Sequence, residues 1–406
     1  MVGMRDVAKE AGVSLSTVSL VVNKTGYVSD DMRARVKAAM KELNYVPNEL
    51  ARNLYKNRTN LVGVIVPTIR HPFFATLTAH LQRELAAQGL RTMLCSTADA
   101  ENGEVEYVDM LRRHMMDGII VCSHTTHPND YWTSIHRPIV AFDRVLGGGI
   151  ASIGSDHEQG GRLMAHMLVN TGAHHVVMIG GPRDQFFDLA ARNGDSPDDF
   201  DLHKTTFPAV RYYLTLEQEL KAAGVRYEYV EAGNVEDFQG YKNAVNAVLN
   251  SMPVDGVDAV VSSDIGAALC VREAMRRHIS IPRDLQIIAY DGTYLTDLAG
   301  MKMTAVAQNF DKIAQVAGRQ YRSCDRQGRG CQGRYDKRHG TQAVRAGRAD
   351  FRDAQTGRYH ALSGPYRPSL DGPFYLLSGS FRLIRNRRSD RSSTRPRACG
   401  PNGSHR

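Results

Sequence analysis

Three short apolar runs end in a carboxylate: "PIVAFD" in Asp143, "AVVSSD" in Asp264 and "LQIIAYDG" in Asp291. Two more, "LVGVIVP" and "HVVMIGG", close on Pro67 and Gly181. In open α/β sheets a ligand sits beyond the carboxyl ends of the strands, so residues that end such runs are candidates for a pocket. Carboxylates there would make directional hydrogen bonds to hydroxyl groups. An Asp after a strand also serves as a helix N-cap, and both readings stay open at this point. No nucleophile–base pair, phosphate-cradling glycine loop or metal-ligand spacing stands out, and "IGGPRD" is too short for a dinucleotide fingerprint. The expectation is a binding protein, not an enzyme, with no cofactor and no metal.

The elements that must position these residues are legible from residue 61 onward. Val/Ile-rich runs such as "LVGVIVP", "GIIVCS" and "HVVMIGG" read as strands buried on both faces. Between them lie stretches of helical periodicity, among them "FFATLTAHLQRELAAQG" and "QGGRLMAHMLVNTGA". Such alternation predicts parallel sheets with helices on both faces, and the length suits two lobes, residues 61–156 and a second from His157. With 406 residues, 42% of them hydrophobic, the chain can fill proper cores. No run approaches the roughly 18 apolar residues of a membrane span, and no signal peptide opens the chain, so a cytoplasmic protein without membrane association is expected. Six scattered cysteines without C-x-x-C spacing read as free thiols.

The head is different. Val7, Ala8 and Ala11 recur at helical spacing, Gly12 supplies a turn, and Ser14 is placed to cap a second helix carrying Val18, Val21 and Val22. A third stripe follows in Val36, Ala39, Met40 and Leu43. Three short helices with this turn form either a helix-turn-helix or a small bundle for protein contact. Charge favours the first. The net +8 is dominated by residues 318–406, with nineteen Arg and one Lys against six Asp and no Glu, but residues 1–60 also carry ten basic against six acidic residues.

"MRDVAKEAGVSLSTVSLVVN" together with "YVPNELARNLYKNRTNLVGVIVP" closely resembles the head of the LacI/GalR family of bacterial transcriptional repressors. The resemblance implies that residues 47–55 form a hinge helix ordered on the operator, with Leu54 wedged into the minor groove so that the duplex bends. It implies that Leu15 and Ser16 choose bases, while Ser14, Thr17, Ser19, Asn23 and Arg52 contact phosphate or groove. One departure is visible: Leu20 stands where many members carry an Arg suited to guanine.

From about residue 61 to about residue 315 the chain resembles the periplasmic-binding-protein-like core of the same family. By that resemblance "HPFF" supplies Phe73 and Phe74, "AFD" Asp143, "AVRYY" Arg211, "SSD" Asp264, "AYDG" Asp291 and "AQNF" Gln308 and Phe310 to the effector site. Aromatic faces beside carboxylates and a guanidinium suit a hydroxylated ligand such as a sugar, although Phe73 and Phe74 could equally be core. The segment between Pro182 and Arg211, an acidic insertion over residues 183–207, is longer than family spacing; it reads as a solvated loop or a lid over the effector. After "MKMTAVAQNFDKIAQVAGR" the resemblance fails. The Arg/Gly-rich remainder, in which no helical stripe or clear strand is read, has the composition of an out-of-frame reading or of a basic arm for nucleic acid.

The expected organisation is a small all-α helix-turn-helix domain over residues 1–46, a hinge helix and linker over 47–60, a two-lobed α/β periplasmic-binding-protein-like core with parallel sheets over 61–317, and a basic tail over 318–406. The expected function is a homodimeric repressor of carbohydrate-utilisation genes that binds a pseudo-palindromic double-stranded operator and a small sugar-like effector. The same fold under a phosphoprotein co-regulator, or a sugar receptor without a DNA role, are the alternatives. Because Leu20 offers only apolar contact, such as to a thymine methyl, operator selection from a random pool is expected to return half-sites lacking the guanine that an Arg would read; its recovery would contradict this assignment.

Overall fold

The computed structural model describes residues 2–47, 58–125, 127–128, 130–186 and 205–326, together with three short strands nearer the carboxyl end. The chain divides into two units, Met1–Thr59 and Asn60–Arg406. In the first, α1 (Met4–Ala11) ends on Gly12, whose φ of 60° is the left-handed conformation that a helix C-cap requires. Ser14 caps α2 (Leu15–Asn23), its hydroxyl accepting from Thr17 N at 3.1 Å, and Ser29 caps α3 (Asp30–Glu42). The expected stripes meet in one small core of Val7, Ala8, Ala11, Val18, Val21, Val36 and Ala39, with Val22, Met40 and Leu43 packed at its margin.

The second unit holds two sheets. The first comprises β1 (Leu61–Val66), β2 (Arg91–Ser96), β3 (Gly118–Val121), β4 (Ile139–Phe142) and β5 (Ala151–Ile153) in the order β2-β1-β3-β4-β5, all parallel. α4 (Pro72–Ala87) and α5 (Glu104–Arg112) cover its two faces, which is why β1, β3 and β4 are almost wholly buried and read as continuous apolar runs. The chain then crosses over and begins α6 (His157–Asn170). The second sheet contains β6 (His175–Gly180), β7 (Arg226–Glu231), β8 (Ala259–Ser263), β9 (Gln286–Asp291) and β10 (Thr304–Ala307), parallel in the order β10-β9-β8-β6-β7. α6 and α7 (Val210–Ala222) pack on one face, and α8 (Phe238–Asp255) and α9 (Asp264–Arg276) on the other, with α10 (Leu295–Leu298) between β9 and β10.

A second crossing returns the chain to the first lobe as α11 (Phe310–Arg326). Phe310, Ile313, Ala317, Tyr321 and Cys324 enter the core that holds Val62, Leu77 and Leu81. This corrects the boundary drawn at residue 317, because Tyr321 and Cys324 are fully buried. Gly118 makes room for the helix: a Cβ there would lie 2.7 Å from Tyr321 and 2.6 Å from the Pro138 carbonyl oxygen. The tail also contains strands that its composition concealed, β11 (Asp350–Arg352), β12 (Tyr359–Ala361) and β13 (Arg382–Ile384), the last pairing antiparallel with β10. Cys95, Cys122 and Cys270 are free thiols, whereas Cys324 is disulfide-bonded, contrary to the reading of every cysteine as free.

Tyr321 tests whether α11 beyond residue 317 belongs to the core. Tyr321→Ala is expected to destabilise the fold by about 3–5 kcal/mol, read from the urea midpoint at unchanged slope. A loss below about 1 kcal/mol would place the end of the core where the sequence reading put it.

Candidate ligand cleft and nucleic-acid interface

Helix α2 presents a mostly polar outer face. Leu15 and Ser16 stand exposed at its start, while Val18 and Val21 are buried beneath. Ser14 is engaged as the cap and in hydroxyl contacts with Ser16 at 2.7 Å and Thr17 at 2.9 Å. Ser19 accepts from Asn23 Nδ2 at 3.1 Å, so these two side chains hold one another in place one turn apart. Leu20 is half-buried against the head core, leaving only part of its surface available. Tyr27, just beyond α2, is 92% exposed. Arg52 and Leu54, and with them most of the hinge, lie outside the described residues.

A cleft opens between the carboxyl ends of the two sheets, the place where parallel sheets bind ligands. Its inner chamber, about 100 Å³, receives His71, Phe73 and Phe74 from the start of α4, Asp143 from the end of β4, Asp291 from the end of β9, and Gln308 from the second crossing. Five of the eight expected effector residues therefore come together. The other three do not line the chamber. Phe310 packs on Phe73 with ring centroids 5.5 Å apart, and Arg211 sits on α7 beside Tyr212 and Tyr213, which themselves line the chamber. Asp264 is fully buried and accepts hydrogen bonds from the backbone of Gly292 (3.2 Å) and Thr293 (2.6 Å) and from the Thr293 hydroxyl (2.5 Å). In that place it fixes the turn after β9.

Sequence reasoning missed the groups that tie the wall together. His157, buried at the first residue of α6, bonds through Nε2 to Asp143 Oδ1 at 2.9 Å and through Nδ1 to the Tyr290 hydroxyl at 2.7 Å. Tyr290 stacks on Tyr212 at 3.7 Å and 8°. The approach requires Gly160, because a Cβ there would lie 2.8 Å from the Tyr290 ring. Between the crossings, Ser155 Oγ of the first donates to Gln308 Oε1 of the second at 2.6 Å, and Gln308 Nε2 donates to Asp291 Oδ1 at 2.8 Å. Asp143 and Asp291 have φ of 48° and 123°, backbone held off its usual minima by this surround.

Burial sets the charge of the chamber. It pushes His71 down to about 4 and, with Arg144 and His71 nearby, His124 to about 3, so both imidazoles are neutral at pH 7. Burial and then the neighbouring Asp264 carboxylate raise Asp291 well above the ordinary carboxylate range. The Cys122 thiol is likewise driven up by burial and is no nucleophile. His71 Nδ1 accepts from Phe73 N at 3.3 Å, while its Nε2 is buried without a partner among the described residues, and His71 belongs to the lining. Among the described residues no cluster of His, Cys, Asp and Glu could hold a metal ion, and no helix is long and apolar enough to cross a membrane.

Residues 3–48 match the model of bacterial regulatory proteins of the lacI family, and residues 59–194 that of periplasmic binding proteins and the sugar-binding domain of the LacI family. Residues 165–326 match a periplasmic-binding-protein-like domain. The chain is 33% identical over 313 residues to the sucrose operon repressor of Streptococcus mutans, covering 77% of this chain and 89% of that one. The chain belongs to the LacI family. The ribose operon repressor of Bacillus subtilis is also 33% identical, over 291 residues, 72% of this chain and 82% of its own length. Among solved structures, the lac repressor dimer bound to operator and an anti-inducer shares the fold with a TM-score of 0.65 at 21% identity, over 81% of this chain and 94% of that one. The match through residue 326 agrees with α11 as part of this LacI-family core.

The insertion of this LacI-family chain is anchored at its end: Val145 N donates to Thr206 O at 3.0 Å, and Arg144 lies 4.1 Å over the Phe207 ring. Residues 187–204, where the lid reading falls, lie outside the described residues.

Asp264 yields a pH test. Burial raises its carboxyl from 3.8 to about 6. Between those values the fold binds more protons than the unfolded chain, so this group's contribution is complete below about pH 4 and is lost as pH rises through 6. In Asp264→Asn the fall in urea midpoint from pH 4 to 6 is expected to be shallower than in the parent; parallel curves would refute the assignment.

Proposed function

We propose that the chain is a homodimeric DNA-binding repressor of carbohydrate-utilisation genes whose grip on its operator is set by a small sugar held between the lobes. The observation that carries the sugar is the inner chamber itself. Neutral imidazoles, a carboxamide and carboxyl groups stand beside Phe73, Phe74 and stacked tyrosines, and the buried His71 Nε2 is left to a ligand. Such a set hydrogen-bonds hydroxyls and covers a C–H face. The sucrose and ribose operon repressors among its relatives support carbohydrate as the class, and the capped α2 of the head supports DNA as the second partner. Nothing in the chamber is armed as a nucleophile, which supports a role without catalysis.

A ligand that binds one lobe arrangement better than another shifts the equilibrium between them, and its coupling to operator affinity is reciprocal. Fluorescence anisotropy with an operator duplex is expected to show affinity falling steeply with salt through release of counterions. At fixed salt, one sugar of a panel is expected to change operator affinity more than tenfold. His71→Phe is expected to weaken that sugar about tenfold, the worth of about one hydrogen bond, and to leave operator affinity without sugar unchanged. Operator affinity indifferent to every sugar would overturn the reading.

A further inference from the structure

The inner chamber is small. At about 100 Å³ it lies below the roughly 300 Å³ at which pockets for small molecules begin. It adjoins an outer chamber of about 380 Å³, with His124 and Val235 in the walls of both. The two differ in chemistry. Tyrosine and phenylalanine faces dominate inside, whereas outside the wall is made by Thr97, Asn102, Thr125, His127, Asn234 and Glu236. Asn102 and Thr125 come from loops of the first lobe and are exposed, as are Asn234 and Glu236 from the loop that follows β7 in the second.

The polar wall is held in place from behind. Glu104, 3% exposed, accepts from the Ser123 hydroxyl and pairs with His127 Nε2, and the His127 ring stacks on Tyr131 at 3.8 Å and 9°. Val235 packs against the core of the first lobe, so a second-lobe side chain separates the chambers. An occupant of both would touch both lobes and pass beside Val235. Inside it would present an apolar face to the aromatic rings, and outside it would present hydroxyls to amide, hydroxyl and carboxylate groups.

We infer that the effector is a two-ring carbohydrate, one ring seated among the aromatic side chains of the inner chamber and the second among Asn102, Thr125, Asn234 and Glu236 of the outer. The inference rests on the sugar reading of the cleft and names the class of sugar. Either ring alone leaves part of the cleft to water, whereas the pair fills it and joins the lobes through one molecule.

The test is calorimetric titration of the full chain with sucrose, cellobiose, maltose, trehalose, lactose and melibiose, and with glucose, fructose, galactose and ribose as single rings. One disaccharide is expected to bind at least tenfold tighter than either of its component rings. Asn102→Trp and Asn234→Trp, placed on opposite sides of the outer chamber and both at exposed positions, are each expected to remove most of that advantage and to leave single-ring affinity within about twofold. A single ring that binds as tightly as any disaccharide, with both variants indifferent, overturns the two-ring inference and leaves the sugar reading standing. No heat with any carbohydrate overturns both.

Discussion

Two polar chains lie where the protein crosses between its lobes. At the first crossing, Asp143 of the first lobe is joined to His157 of the second, and His157 to Tyr290. The other ties the crossings together, from Ser155 on the first to Gln308 on the second and on to Asp291 of the second lobe. Most of these groups are buried, and a buried polar group that loses its partner costs about 1–3 kcal/mol. Any movement that separates the lobes at the crossings must therefore keep these bonds or replace their partners with water or ligand.

The same burial also acts on titratable groups of the chamber. His71 and His124 are held neutral, and Asp291 binds its proton more tightly than an ordinary carboxylate. A neutral ligand with many hydroxyls exchanges bonds to water for bonds to imidazole, carboxyl and amide, while stacked tyrosines cover its apolar face.

Much of this architecture was legible in advance, for local reasons. Runs such as "HVVMIGG" are buried on both faces of a sheet, and that environment writes itself directly into the sequence. Ser14 announced α2 because a cap acts on a backbone group three residues away. The strand-end rule found Asp143 and Asp291, yet the same rule placed Asp264 in the pocket, where it instead fixes the turn after β9. Residue type could not separate these roles. His157, Tyr212 and Tyr290 escaped because their meeting depends on the packing of α6 against α7 and β9, which no local pattern carries. The end of α11 escaped for a different reason: Tyr321 and Cys324 continue the stripe of Ile313 and Ala317, but the arginines around them made the composition look like tail.

The head carries its information with little spare material. Its core is built mainly from valine and alanine, and its recognition surface is one turn of serine and threonine headed by Leu15. Ser14 bonds to both Ser16 and Thr17, and Ser19 to Asn23, so these side chains are oriented by one another. Side chains fixed in this way lose less entropy on binding than free ones and tolerate misplacement less well. Leu20 follows the opposite logic: with part of its surface committed to the head core, it can discriminate a partner only by shape and apolar contact. Packing inside the head thereby decides how much of Leu20 is left exposed, as the Ser14 cap decides where α2 begins.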